Sequence, residues 1–128
     1  MHLQVCRPGD GAGAVSGMEG IYRICESAIR CIISGDYAFL EEQNALTRVS
    51  KTDIKRVLAE YNPSEAPIMP PDGYVEKAAY IIQYRDGSGC CVDIDLWYPT
   101  GRSDLTLQLD IRKRDGKLCF IVDDLHVL

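Results

Sequence analysis

The chain has 128 residues, 46% of them hydrophobic and 26% charged, a composition that suits one compact domain and excludes wholesale disorder. Its apolar runs fall far short of the roughly 20 residues needed to span a bilayer. A formal charge of −5, from 14 Lys and Arg against 19 Asp and Glu, argues against partners bound by phosphate neutralisation, whether nucleic acid or an anionic membrane.

Residues 1–17 read as a flexible leader, with Gly9, Gly11, Gly13 and Gly17 set among small residues and no apolar period to bury. The glycines lack the Lys-Ser/Thr that completes a phosphate loop. Patterned sequence begins after Met18, a candidate true start, so a single domain is expected over 18–128. No basic segment followed by an apolar stretch opens the chain, and a cytoplasmic location is expected.

Helices are expected over 20–61. Ile21, Ile24, Cys25, Ala28, Ile29 and Ile32 fall on one helical stripe, while Arg23, Glu26, Ser27 and Arg30 face away. Gly35 supplies a left-handed stop, and Asp36 can cap a short second helix through about Leu46. Ser50 and Asp53 have capping-box spacing and open a third helix, with Ile54, Val57, Leu58 and Tyr61 on its apolar face. Asn62-Pro63 ends it. The proline-rich stretch 62–73 reads as a rigid connector.

After Gly73 the apolar period drops from 3.6 to 2, and the sheet is expected over 74–128. Four strands are predicted at roughly 75–85, 90–98, 102–114 and 117–127, joined by turns at Gly87-Ser88-Gly89, Tyr98-Pro99-Thr100-Gly101 and Asp115-Gly116. The fold class is therefore α+β: about three N-terminal helices packed on one face of a four-stranded antiparallel meander.

Matching apolar faces predicts the register. The turn at 98–101 pairs Leu96 with Ser103, Ile94 with Leu105, Val92 with Leu107 and Cys90 with Leu109. The glycine turn pairs Tyr84 with Val92, Ile82 with Ile94 and Tyr80 with Leu96. The last hairpin pairs Ile111 with Phe120 and Leu109 with Val122.

That register sets Asp95 across from Asp104, and Trp97 across from Arg102, on the opposite face. Two opposed carboxylates repel by about 0.2–1 kcal/mol unless a cation relieves them, and Arg102 lies diagonally from Asp95. The second half of the chain carries seven basic and eleven acidic side chains. Asp93, Asp95, Trp97, Arg102, Asp104 and Asp123 are accordingly the candidate partner-binding residues, suited to a basic protein.

The last strand leaves two readings. Unbroken, it carries Asp124 and His126 into the apolar face as an acid–base pair. A bulge at Asp123-Asp124 instead turns Leu125 and Val127 inward and sends His126 to solvent; those two apolar residues favour the bulge. No other catalytic constellation is present. His2 falls in the leader, and no histidine motif suggests a metal. The six cysteines lack Cys-x-x-Cys spacing and read as small buried hydrophobes in a reducing compartment. No metal, cofactor or catalytic residue is expected.

The segments Asp93-Ile94-Asp95-Leu96-Trp97, Gly101-Arg102-Ser103-Asp104-Leu105 and Val122-Asp123-Asp124-Leu125-His126-Val127 resemble a family of small uncharacterised bacterial proteins. The layout of helices before a four-stranded sheet also resembles the cystatin-like and nuclear-transport-factor-2-like cone folds. Such folds serve enzymes, ligand binders and toxin-immunity proteins alike. The resemblance, with the acidic sheet half, implies an immunity protein that neutralises a cognate basic toxin, as in contact-dependent inhibition. The alternative is a cone pocket that binds a small molecule or works through Asp124 and His126. A homodimer through the outer sheet face is a third option.

Overall fold

The computed structural model describes residues 14–128, with side chains from Met18 onward. The chain folds as α1 (Ala14–Ser34), α2 (Tyr37–Glu42), α3 (Lys51–Tyr61), α4 (Tyr74–Ala78), β1 (Tyr80–Gln83), β2 (Gly89–Tyr98), β3 (Gly101–Arg114) and β4 (Lys117–Val127). The four strands form one antiparallel meander in the order β1-β2-β3-β4. The fold is α+β, with the helices N-terminal to the sheet. No described helix is long and apolar enough to cross a membrane.

Local chemistry sets the helix ends. Helix α1 begins at Ala14, inside the expected leader, and residues 1–13 of that leader lie outside the described residues. Asp36 caps α2 by accepting from Phe39 N, and Ser50 and Asp53 complete a reciprocal capping box at α3. Helix α4 replaces the start of the first predicted strand. Gly73 (φ +83°) turns the chain into it, and Glu76 and Lys77 sit at the ends the helix dipole favours.

The core lies between the helices and one sheet face. Ile24, Cys25, Ala28 and Ile29 of α1, Leu40 of α2 and Ile54 of α3 are buried against Val92, Ile94, Leu96, Leu107, Leu109, Ile111 and Val122. Burial of each large side chain contributes roughly 1.5–3 kcal/mol. The five described cysteines are thiols. Burial pushes Cys25 up to about 12 and Cys90 up to about 11, which keeps both protonated and unreactive.

Two of the three registers correct the predicted pairing. Between β2 and β3, Trp97 pairs with Arg102 as expected, but the next pair is Asp95 with Thr106. Residues 103–105 thus bulge opposite Leu96, and Ile94 meets Leu107, Val92 meets Leu109 and Cys90 meets Ile111. The Ser103 hydroxyl makes the bulge tolerable: it donates to Leu96 O at 2.7 Å and accepts from Leu105 N at 3.1 Å.

Between β1 and β2, Ile81 pairs with Val92, so Ile81 faces inward while Tyr80 and Ile82 face out. The cause is the turn. Tyr84 N bonds Gly89 O, which places Gly89 in the ladder and leaves residues 85–88 as the loop. A side chain at Gly89 could not fit, since a Cβ there would lie 1.9 Å from Ile111 O.

Between β3 and β4, Ile111 pairs with Phe120 and Leu109 with Val122 as predicted. A bulge at Asp123 then sets Gln108 opposite Asp124, Leu107 opposite Leu125 and Thr106 opposite His126. Leu125 is buried and His126 faces out, as expected, whereas Val127 at the strand end is 49% exposed rather than turned inward.

The sheet edges are capped unequally. Beyond short β1, the edge of β2 is covered by Ile68 N bonding Trp97 O and by the Tyr74 hydroxyl bonding Asp95 O, both at 2.8 Å. On the far side, Val122 N of β4 bonds Ala45 O at 2.8 Å.

Candidate functional site

The outer face carries two polar rows set by strand register. Tyr80, Asp93, Gln108 and Asp124 form one; Asp95, Thr106 and His126 form the next, with Trp97 and Arg102 beyond. Gln108 Nε2 donates to Asp93 at 3.0 Å. Asp95 takes Thr106 Oγ1 at 2.7 Å on one oxygen and Arg102 Nε and Nη2 at 3.0 Å on the other. Trp97 packs edge-on to Tyr74 at 5.1 Å, and the Arg102 guanidinium lies 5.7 Å over the same Tyr74 ring.

This geometry overturns the opposed Asp95–Asp104 pair. The bulge in β3 sets Thr106, not Asp104, across from Asp95, and internal donors satisfy both oxygens of Asp95. Asp104 accepts from the Tyr61 hydroxyl at the end of α3 and holds that phenol above its usual pKa, chiefly through this hydrogen bond. Asp123 is also withdrawn, paired with Arg48 from the loop after α2. Of the six predicted partner-binding residues, Asp93, Asp95, Trp97 and Arg102 stand together on the outer face; Asp104 and Asp123 are tied to the helical half.

Asp124 and His126 do meet, with Nδ1 of His126 2.9 Å from the Asp124 carboxylate. The contact lacks hydrogen-bond alignment, and this Nδ1 has no hydrogen-bond partner. Their side chains are 52% and 38% exposed, and the pocket that Asp124 lines with Val49, Ile54 and Val57 does not include His126.

The most heavily built polar cluster was not predicted. Asp110, at an outward position of β3, has a side chain only 6% exposed. It accepts from the Tyr84 hydroxyl at 2.9 Å, Arg112 Nε at 2.9 Å and Arg48 Nη2 at 3.2 Å. Burial alone would raise its pKa. The hydrogen bonds from Arg112 and Tyr84, with the nearby guanidiniums, outweigh that and hold the carboxyl below its usual range. Burial and the bond to Asp110 push Tyr84 up to about 12. The Arg112 guanidinium lies 4.5 Å over the Tyr84 ring and reaches Ser88 Oγ at 3.3 Å.

A faint signal for this cluster existed in the sequence: Asp110 and Arg112 are charges at adjacent outward positions of an apolar strand. Tyr84 carried none, because alternation alone reads it as packing. Among the described residues, no group of three or more His, Cys, Asp or Glu is placed to hold a metal ion. The arrangement can organise charge and present a surface; it holds no activated nucleophile.

A family described as a domain of unknown function, DUF7668, matches residues 29–128. The chain belongs to this family. The DUF7668 segment starts within α1 and takes in α2, α3, α4 and the whole sheet, so Arg48, Tyr84, Asp110 and Arg112 all fall inside it. No curated protein and no solved structure matches the chain.

Proposed function

We propose that the chain is an interaction module, an immunity protein that binds and neutralises a cognate bacterial toxin with the outer face of its sheet. One observation carries this reading: the helices cover a single face, and the other presents carboxylates beside uncovered aromatic and aliphatic groups. Asp93 and Asp124 share a row with Tyr80, which is 64% exposed, and Ile82 at the same edge is 48% exposed. Carboxylates around an apolar centre suit a basic protein surface, with the charges steering encounter and the rings anchoring it. A nuclease domain, basic because it must grip phosphates, has the required chemistry.

The loss of the Asp95–Asp104 pair moves the steering role to Asp93 and Asp124, which have no guanidinium partner of their own among the described residues. The test is co-expression with a secreted toxin domain encoded beside this chain. The native chain restores growth. The double charge reversal Asp93→Lys with Asp124→Lys loses protection and flattens the salt dependence of binding. Full protection by that variant, or no protection by the native chain, rejects the reading.

A further inference from the structure

Away from Trp97, the loop after α2 and the β3–β4 hairpin enclose a pocket of about 230 Å³. Gln43, Asn44 and Thr47 give it a polar wall, Arg112 and Arg114 a cationic side, and Ile121, on the same sheet face as the two arginines, an apolar patch. The volume lies below the ~300–1,000 Å³ of drug-sized sites, so any occupant is small.

Gln43 supplies the decisive detail. It closes α2 as the C-cap, its backbone N–H bonding Phe39 O at 3.0 Å. The residue is only 7% exposed, yet its side-chain amide makes no hydrogen bond among the described residues. Neither amide atom is cut off from solvent, and the side chain lines the pocket, where a ligand's polar group takes the place of water.

Charge selects the kind of ligand. The lining holds two guanidiniums and one carboxylate, Asp110, whose charge is already met by Arg112 and by Arg48. Arg114 has no ion-pair partner among the described residues and stands directly across from Lys117. Like charges opposed across strands repel, and an anion between them and the pocket relieves the repulsion.

We propose that this pocket binds a small organic monoanion, its carboxylate held by Arg114 and the Gln43 amide and its compact apolar body resting on Ile121. The site lies on the same outer sheet face as the proposed toxin-docking surface, beyond the Tyr80–Asp93–Gln108–Asp124 row, and its test uses no toxin, so it stands or falls independently of that reading.

Benzoate serves as the probe, followed on the full chain by ¹⁵N NMR of the Gln43 side-chain amide. Benzoate shifts this signal saturably, and benzamide, the same shape without the charge, does not. Arg114→Gln, a change at an exposed position, weakens benzoate roughly fivefold, the upper end for an exposed ion pair. Gln43→Leu, which drops the amide and keeps the bulk, also weakens it. A Gln43 signal unmoved by benzoate, equal shifts from benzamide, or unchanged affinity in Arg114→Gln would overturn the proposal. Inorganic phosphate binding as tightly as benzoate would overturn the apolar part of the assignment.

Discussion

Tyr84 donates a 2.9 Å hydrogen bond to Asp110, fastening the end of β1 to a strand that is not its neighbour. The ring reaches across because Gly89, which stands between Tyr84 and Arg112 in the ladder, has no side chain to obstruct it. One carboxylate thereby gathers the β1–β2 turn, the centre of β3 and the loop after α2.

Replacement of Asp110 is expected to be costly. Asp110→Asn keeps the shape and removes the charge, leaving Arg48 and Arg112 without their shared anion. Those guanidiniums are 47% and 40% exposed, so water takes up part of the loss. The expected destabilisation is about 2 kcal/mol, read from urea unfolding at neutral pH. The folded-state pKa is depressed, so the contribution is full above the unfolded value of about 3.9 and disappears as pH falls through the folded one. The native chain should therefore lose more stability than Asp110→Asn below roughly pH 4.

Tyr84 gives the opposite dependence. Its pKa is raised to about 12, so the folded state favours the neutral phenol. That stability is intact below the unfolded value of about 10 and is lost as pH climbs through the folded one. Tyr84→Phe is expected to remove one late-titrating phenolate from the ultraviolet titration near pH 12 and to flatten the alkaline loss of stability.

Two glycines in the same turn should respond differently to alanine. At Gly89 a Cβ would collide with a backbone carbonyl 1.9 Å away, and the ladder must open to admit it. The expected cost is about 3 kcal/mol or more. Gly87 has a φ of +75° and open space around it, so alanine meets only backbone strain, about 1 kcal/mol. Thermal unfolding of the two variants checks the ranking.

Ser50→Ala removes half of a capping box whose hydrogen bonds measure 2.9 Å and 3.0 Å. A loss of about 1 kcal/mol is expected. Chemical denaturation measures it, and Ser50→Asp, which restores an acceptor, should recover most of it.

Side-chain alternation revealed a shift only where the shift was odd and the sequence showed it. The one-residue bulge at Asp123 was legible because Leu125 and Val127 change parity there. The bulge at 103–105 adds two residues, leaves every apolar side chain on its proper face and is invisible to face matching; the misplaced Asp104 followed from it. In β1, Tyr80, Ile81 and Ile82 are apolar at both parities, so a three-residue error in the turn went unopposed. The helices were more readable, since Asp36, Ser50 and Asp53 are local signals that need no distant partner. Asp110 was hidden for the converse reason: its partners Arg48 and Tyr84 are 62 and 26 residues away in the chain.

The unequal capping of the sheet has a consequence for self-association. β4 carries the bulge at Asp123 and a bond from Val122 N to the Ala45 carbonyl, and β1 at the other border is only four residues long. A border that short gives an incoming strand few ladder bonds to gain. Brevity on one side and a kink on the other thus both work against copies adding to the sheet edge to edge.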